Sequence, residues 1–424
     1  MTTLREQYVL AVDLGTSGCK AALVSVYGKV IGWEFESVDT LLFPNGGAEQ
    51  DPQSWWNAFL RVAKRLIAQG LVPASEIIAI CCSTQGECTD PVDTEGRPLM
   101  NAILWMDARG REHLRAITGG PIMVAGFHPL RLLRWIRLTG GAPSTTGKDP
   151  ASHMLFIKHE FPEVYQRTHK FLNVLDYLNF RLTGKLVATF DSILTSWVTD
   201  NRDVENVVYS DSLLRGCGID REKFPEIVKC TEVIGSLDKE VAEALGLTTD
   251  IVRHMASFSS AVRGKYVLLN NQTTAGGNLS FIAENVVYHK DALLQEEKRP
   301  DLYKVFDKVC AKVPPGSNGL LYSPWIFGER SPVDDHFIRG GIHNVSLHNN
   351  REDIVRAVFE GVAFNAKWLL QGVSSFLKRH CDTLRMSRGG GAASDVWCQI
   401  HADILDRRIL QVHDPIRSNA RAPP

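Results

Sequence analysis

The stretch that decides the fold reads Tyr8-Val-Leu-Ala-Val-Asp13-Leu-Gly15-Thr16-Ser17-Gly18-Cys-Lys20-Ala-Ala-Leu-Val24. An apolar strand ends in an acid, a glycine-rich turn follows, and a second apolar strand leads away. Glycine lets the backbone turn tightly and brings N–H groups close to an anion. The pattern therefore predicts a phosphate-binding turn on a β-hairpin, although hairpins that bind nothing share it.

The polar side chains of this turn suit a metal-bound phosphate. The carboxylate of Asp13 stands where it could hold a hydrated Mg²⁺ beside a phosphate. The hydroxyls of Thr16 and Ser17 and the ammonium of Lys20 add hydrogen-bond donors.

Length and composition indicate an ordinary globular protein of two domains. The chain has 424 residues, 44% of them hydrophobic and 22% charged. A formal net charge of −1 gives no basic bias that would indicate nucleic acid, and no polybasic run indicates a membrane surface. Nine scattered cysteines without a C-x-x-C pair, and a beginning without an apolar signal segment, favour free thiols in a cytoplasmic protein.

Strands alternate with helices along the chain, which predicts an α/β layer architecture. In the first half we expect strands at 8–13, 20–26, 29–36, 77–83 and 102–105, helices at 52–69, 108–116, 129–138, 152–159, 174–183 and 236–246, and an extended segment at 190–200. In the second half we expect strands at 265–269, 320–323 and 384–387, and helices at 275–285, 302–312, 351–371 and 395–405. We place the domain boundary near Gly246, with one domain at 1–246 and the other at 247–424.

A second glycine cluster, Gly389-Gly390-Gly391-Ala392, lies between a predicted strand and helix. Bare backbone at a helix N-terminus can approach a nucleotide, although three glycines can also form a plain flexible turn. Two such clusters in two α/β halves suit ATP held between lobes, where phosphoryl transfer depends on positioning and charge neutralisation.

Polar side chains follow two of the buried strands. Gln85 and Gly86 follow one, and Asp107 follows the other, next to an aromatic residue. Ligands bind at strand ends in α/β sheets, and amide and carboxylate groups suit sugar hydroxyls. A helix cap for Asp107 and a loop contact for Gln85 are the equally weighted structural alternatives.

These motifs together resemble the FGGY family of carbohydrate kinases, of the actin and Hsp70 superfamily, and its xylulose-kinase-like members above all. The resemblance covers almost the whole chain. It rests on the segments 12–17, 85–86, 105–109, 176–184 with 192–200, 324–332, 339–361 and 389–395.

The resemblance implies two actin-like, ribonuclease-H-like lobes with a cleft between them. It also implies ATP-dependent phosphorylation of a ketose or polyol, with ATP and Mg²⁺ as cofactors. Asp13 would position the metal, and the Gly15-Thr16-Ser17 turn with Lys20 would hold the phosphate. The sugar would bind Gln85, Gly86 and Asp107. The adenosine would lie against the segment 389–392.

The chain departs from the family pattern after Leu247. The family's second domain opens with a strand that leads to an aspartate, the base for the sugar hydroxyl, and a second phosphate turn follows. Neither feature occurs here, and Asp250, the nearest acid, lacks the preceding strand. Near the end of the chain Ala422-Pro423-Pro424 interrupts what resembles the last helix. We therefore expect either a product with an internal deletion and a truncated end or a degenerate family member, with an incomplete second lobe that lacks the catalytic base.

The sequence thus predicts a sugar kinase with impaired activity. Its rival is a non-catalytic remnant that binds sugar or nucleotide. The expected partners are a small sugar or polyol and ATP, with neither nucleic acid nor membrane, and a homodimer is left open.

Overall fold

The computed structural model describes residues 6–203, 205–230, 232–248, 252–253, 275–287, 302–329, 331, 333, 335, 337–386 and 394–411. The predicted strand at 265–269, Asp250 and the glycine cluster at 389–392 lie outside these residues. The chain forms two compact units, one of Met1–Val267 with Asn419–Pro424 and the other of Leu268–Ser418.

The first unit contains fourteen strands and nine α-helices among its described residues. Its strands are β1 (Tyr8–Gly15), β2 (Gly18–Ser25), β3 (Val30–Ser37), β4 (Leu41–Leu42), β5 (Ala48–Gln50), β6 (Ile77–Thr84), β7 (Asp90–Val92), β8 (Ala102–Ile103), β9 (Lys170–Leu172), β10 (Val187–Thr189), β11 (Thr199–Asp200), β12 (Val208–Tyr209), β13 (Glu226–Val228) and β14 (Val252–Arg253). Its helices are α1 (Pro52–Ala68), α2 (Arg111–Thr118), α3 (Pro129–Thr139), α4 (Pro150–Glu160), α5 (Pro162–Arg167), α6 (Val174–Thr183), α7 (Phe190–Ile193), α8 (Asp211–Cys217) and α9 (Lys239–Leu245).

A five-stranded mixed sheet organises this unit, in the order β14-β6-β1-β2-β3. The strands β1, β2 and β3 form an antiparallel meander, whereas β6 pairs parallel to β1 and β14 parallel to β6. Alternate side chains of β1, those of Leu10, Val12 and Leu14, are buried. The side chains that alternate with them therefore face the opposite side of the sheet, Asp13 among them.

Helix α1 packs against β2 and β3. As predicted, it begins at Pro52 behind Asp51, whose side chain accepts a hydrogen bond of 2.9 Å from the backbone N–H of Gln53. Its buried side chains include Trp55, Phe59 and Val62, at the spacing that gives a helix one apolar face.

The second unit has the helices α10 (Gly276–Ile282), continued by a π-helical turn at Ala283–Val287, α11 (Leu302–Lys312), α12 (Arg351–Leu377) and α13 (Asp395–Leu405). Its described strands form two pairs, antiparallel β15 (Leu321–Ser323) with β16 (Gly341–His343), and parallel β17 (Thr383–Met386) with β18 (Arg408–Gln411). The core of the unit includes Phe306, Val358, Phe359 and Trp397.

Most predicted elements are confirmed, some with shifted ends. The extended segment expected at 190–200 is wrong, because Phe190–Ile193 is helical, Leu194–Ser196 forms a 3₁₀ turn and only Thr199–Asp200 is a strand. The apolar residues of this segment are spaced ambiguously, so tertiary packing decides its conformation. None of the described helices is both long and apolar enough to cross a bilayer.

Candidate functional site

The glycine-rich turn closes a tight hairpin, as predicted. Gly15 pairs with Gly18, so that only Thr16 and Ser17 form the loop between β1 and β2. Gly18 has a φ of +151°, and a Cβ on it would lie 2.2 Å from the carbonyl oxygen of Glu36 on β3. Only glycine fits this position, because any side chain would collide with the neighbouring strand.

Asp13 and Lys20 face each other across the hairpin, since the two residues are directly paired in the register. Lys20 Nζ lies 3.4 Å from Asp13 Oδ2, and the two side chains are 50% and 55% exposed. An ion pair this exposed is weak, so neither group is held in place by it. A solvent-exposed carboxylate of this kind suits a hydrated Mg²⁺, because Mg²⁺ retains several of its water ligands and takes few ligands from the protein.

The phosphate turn and the first predicted sugar loop are joined by hydrogen bonds. Thr16 Oγ1 donates to Gln85 Oε1 at 2.8 Å and accepts from Trp105 Nε1 at 3.1 Å. The backbone N–H of Gln85 donates to the carbonyl of Leu14 at 2.8 Å. The pairing of β1 with β6 thus continues past the end of β6 and carries Gln85 to the turn, as expected where parallel strands end together.

Gln50 is the centre of this network, and sequence reasoning missed it. Its side chain is fully buried; Nε2 donates to the carbonyl of Thr16 and to Thr40 Oγ1, both at 2.8 Å. Its Oε1 accepts from Gln85 Nε2 and from Trp55 Nε1, also at 2.8 Å. In the sequence, Gln50 is distinguished only as a polar residue directly before the cap of α1. This position gives no information about hydrogen-bond partners so distant in the chain.

The loop after Gln85 combines open backbone with an unusual conformation. Gly86 is exposed, and a Cβ added to it would meet nothing within 4 Å. Glu87 is partly buried and has a φ of 59°, which is rare for a residue with a long side chain. Backbone of this kind recurs at ligand-binding loops, which makes Glu87 a further candidate that sequence reasoning did not single out.

Asp107 occupies a different environment from the other predicted sugar ligands. It is fully buried, and its Oδ2 accepts from the backbone N–H of Ala48 at 2.8 Å. Its Oδ1 accepts from the backbone N–H of Arg109 at 2.9 Å, and the Arg109 guanidinium lies 2.6 Å from Oδ2 and 2.7 Å from Glu49 Oε1. Both oxygens of Asp107 therefore already have partners within the protein. Sugar binding by Asp107 stays a prediction.

A buried histidine supports the loop that carries Asp107. His153 on α4 is fully buried, its Nε2 lies 3.3 Å from the carbonyl oxygen of Asp107, and its Nδ1 lies 3.3 Å from Thr89 Oγ1. Burial lowers the pKa of His153 despite the opposing charge of Asp107. The neutral imidazole thus links α4 to the loop through one donor and one acceptor.

In the second unit, Trp325 and Glu329 of the motif at 324–332 and Gly361 of the motif at 339–361 contribute to the packing of α12. Asn365 Nδ2 donates to the buried Glu329 at 3.0 Å, and Trp325 Nε1 donates to Asn365 Oδ1 at 3.3 Å. A Cβ on Gly361 would lie 2.3 Å from the carbonyl oxygen of Tyr322. The absence of a side chain at Gly361 is therefore what lets α12 lie against β15.

The predicted adenosine segment at 389–392 lies outside the described residues, and the helix that follows it is confirmed. Helix α13 begins behind Ser394, whose Oγ accepts from the backbone N–H of Trp397 at 3.0 Å. The same oxygen donates to Asp307 Oδ1 at 2.5 Å, which anchors this end of α13 to α11.

Comparison with known proteins places the chain in a family. Residues 8–258 match the N-terminal domain of the FGGY family of carbohydrate kinases, and residues 240–416 match its C-terminal domain. The chain is 27% identical to the xylulose kinase of Bacillus subtilis over an aligned length of 444 residues, which covers 96% of this chain and 85% of that protein. It is also 27% identical to the xylulose kinase of Lactococcus lactis, with 96% and 84% covered.

Solved structures show the same fold. The ligand-bound xylulose kinase from Lactobacillus acidophilus superposes with a TM-score of 0.72 at 21% identity, and the match covers 95% of this chain and 85% of that one. The mixed sheet with its meander and parallel strands agrees with the two-domain, actin-like architecture expected from the sequence. With both of its domains matched, the chain belongs to the FGGY family of carbohydrate kinases, the ATP-dependent sugar phosphotransferases.

Proposed function

We propose that the chain is a xylulose-like sugar kinase that transfers phosphate from ATP to a hydroxyl of a ketose or polyol. The single observation that carries this proposal is the hydrogen bond between Thr16 and Gln85. It joins the turn suited to phosphate and the loop suited to a sugar at one edge of one sheet. A phosphoryl-transfer enzyme needs this proximity, because its catalysis consists mainly of positioning and charge neutralisation.

Each predicted residue has a role in this proposal. The backbone of Gly15, Thr16 and Ser17, together with Lys20, holds the transferred phosphate. Asp13 holds Mg²⁺, which when bound neutralises phosphate charge. Gln85 and Gly86 bind the sugar, with Asp107 in direct contact or as the support of its loop.

On the nucleotide side, we propose that the segment from Gly389 to Ala392 lies against the adenosine. We keep the domain division proposed from the sequence, with the sugar and phosphate loops in residues 1–246 and the adenosine side in residues 247–424.

We further propose that turnover is impaired because the family's catalytic base is missing after Leu247. The aligned length of 444 residues shared with the Bacillus subtilis relative exceeds the 424 residues of the chain, so that relative has residues without a counterpart here. A general base contributes ~10²–10⁴-fold to a typical enzymatic rate, and losing one slows a kinase without removing its ligand sites.

A coupled assay of ADP release, run with D-xylulose and a panel of pentuloses and polyols, tests both parts of the proposal. The wild-type chain is expected to release ADP in a sugar-dependent manner at a rate far below that of an intact relative. Robust sugar-dependent turnover would refute the impairment and would make Asp191, or Asp250, the first acid to test as the base.

Calorimetric titration with sugar and with Mg·ADP separates the kinase from the remnant. Binding of both ligands with no detectable ADP release would favour a non-catalytic binding protein. Absence of binding by either ligand in a folded protein would refute the proposed site as a whole.

A further inference from the structure

A stretch of the first unit carries only positive charge. Between His113 and Lys148 the chain has no aspartate and no glutamate, while it has four arginines and one lysine. The net charge of −1 for the whole chain conceals this local excess. Because Lys148 is fully buried, the arginines determine the charge that the surface presents.

Helix α3 lies in this stretch and turns an apolar face outward. Its Trp135 is buried, donates from Nε1 to the carbonyl of Trp197 at 3.0 Å, and packs edge-on against Phe127. The side chains on the opposite face are exposed, with Leu130 at 71%, Leu133 at 61% and Ile136 at 49%. Helix α3 thus packs on the protein through Trp135, with Leu132 and Leu138 partly buried beside it, and exposes three large aliphatic residues on its other face. A helix surface in contact with water ordinarily carries polar side chains there.

Two arginines lie within the same outward face. At 100° per residue, Arg137 falls between Leu133 and Leu130 around the helix, and Arg134 falls next to Leu130. In the described part of the chain neither guanidinium has an ion-pair partner.

The turn before α3 adds three more exposed apolar side chains. Ile122, Met123 and Val124 are 69%, 49% and 54% exposed. Backbone hydrogen bonds of 2.8 and 3.0 Å between Val124 and Phe127 close this turn, and the buried ring of Phe127 attaches it to Trp135 of α3. We call these eight residues the basic apolar surface: Ile122, Met123, Val124, Leu130, Leu133, Arg134, Ile136 and Arg137.

We propose that the basic apolar surface attaches the protein peripherally to an anionic lipid bilayer. Aliphatic side chains that enter the boundary between headgroups and acyl chains, with arginines at headgroup level, are the chemistry of an interfacial helix. Anionic headgroups supply the negative charge that this stretch lacks. The expectation of no membrane partner came from the lack of a polybasic run in the sequence, which does not report a surface that mixes arginines with aliphatic side chains.

Two other occupants fit less well. A second copy docked by a two-fold axis would bring the arginines of both copies together in a stretch without acids. Nucleic acid would match the arginines but not the six aliphatic side chains, because its contacts are mainly polar and cationic. The bilayer satisfies both kinds of side chain at once.

Vesicle co-sedimentation tests the role of the charges. The wild-type protein is expected to bind vesicles that contain phosphatidylglycerol and to dissociate from them as the salt concentration rises. It should not bind vesicles of pure phosphatidylcholine. The double variant Arg134→Gln/Arg137→Gln should lower the partition coefficient roughly tenfold or more. The control Arg215→Gln/Arg351→Gln removes the same charge from two exposed positions elsewhere and should bind like the wild type. Equal binding by both double variants would overturn the proposal.

A second pair of variants tests the aliphatic residues. Leu130→Ser/Leu133→Ser should reduce vesicle binding and leave the circular dichroism spectrum and melting temperature unchanged, since both side chains are exposed. The control Val208→Ser/Val233→Ser replaces residues that are 48% and 43% exposed outside the surface. Sedimentation velocity is measured in parallel without vesicles. A dimer that dissociates in Leu130→Ser/Leu133→Ser, with no vesicle binding by the wild type, would refute the bilayer as the occupant.

Discussion

The hydroxyl of Thr16, in the turn between β1 and β2, donates a 2.8 Å hydrogen bond to the side-chain carbonyl of Gln85, at the end of β6 and 69 residues later in the chain. The amide of the same Gln85 donates to the buried Gln50. One side chain thus joins the phosphate turn, the sugar loop and the strand before α1.

The substitution Gln85→Ala should loosen the turn and the loop together. It removes the hydrogen bonds of Gln85 to Thr16 and to Gln50, each worth about 0.5–1.5 kcal/mol, while Gln50 Oε1 keeps Trp55 Nε1 as a donor. We expect a lower free energy of unfolding in urea and weaker binding of both sugar and nucleotide by calorimetry. The control Gln53→Ala removes an exposed glutamine and should change stability by less than about 0.5 kcal/mol. Unchanged binding of both ligands by Gln85→Ala would argue against a shared site.

The substitution Asp13→Asn should weaken Mg·ADP binding and leave the melting temperature nearly unchanged. Its carboxylate is 55% exposed and takes part only in a weak ion pair with Lys20, so folding hardly depends on it. Calorimetric titration with Mg·ADP, and with ADP in EDTA, measures the metal-dependent part. The control Asp39→Asn removes another exposed carboxylate. If Asp13→Asn lowers the melting temperature and leaves nucleotide affinity intact, the residue is structural.

Gly18→Ala should lower the free energy of unfolding more than the substitution of an exposed glycine does. The added Cβ would lie 2.2 Å from a backbone oxygen, and the φ of +151° is strained for alanine. We expect a loss of about 3 kcal/mol or more in urea unfolding. Gly216→Ala is the matched control, because its Cβ meets nothing within 4 Å inside α8, and it should be neutral or stabilising.

The two roles considered for Asp107 predict different results for Asp107→Asn and Asp107→Ala. As a loop support, Asp107 is needed mainly to neutralise Arg109, whose side chain is only 11% exposed, so alanine should destabilise the protein strongly and asparagine less. If Asp107 is a sugar ligand, both variants should bind sugar more weakly, even where their melting temperature is little changed. Calorimetry with D-xylulose, at a temperature where both variants are folded, distinguishes the two roles.

The contribution of Asp176 to stability should fall as the pH rises from about 4 to about 7, whereas the buried His153 and His401, whose pKa burial lowers, contribute in the opposite direction. Burial raises the pKa of Asp176 to about 7, against an ordinary value of 3.8, so the folded protein keeps this proton after the unfolded chain has lost it. Unfolding then releases a proton, and this contribution to the free energy of unfolding decreases with pH until the folded carboxyl also ionises.

Urea titrations at several pH values measure this slope. Asp176→Asn should make this slope more positive than in the wild type, because one downward contribution is lost, while Asp90, whose pKa burial also raises, retains its own. The control Asp39→Asn should retain the full slope. A slope between pH 4 and 7 that is the same in Asp176→Asn as in the wild type would contradict the buried, protonated state of Asp176.

The sequence by itself determined the elements whose signals are local. Continuous apolar runs predicted β1 and β2, the glycines predicted their turn, and Asp51 with Pro52 predicted the start of α1. Periodicity and caps act within a few residues, so they are legible without the fold. The motifs also sufficed for the family, since their order and spacing run along almost the whole chain.

Only the tertiary structure decided which polar groups meet. Gln50 is buried at the centre of the Thr16 network, and both carboxylate oxygens of Asp107 are bonded to Arg109 and Ala48. Both arrangements follow from strand pairing between distant segments. The outward apolar face of α3 is equally a tertiary result. Its sequence shows leucines at helical spacing, but burial of Trp135 decides which way they turn. Pairings across tens of residues depend on the packing of the whole unit, and no local pattern encodes them.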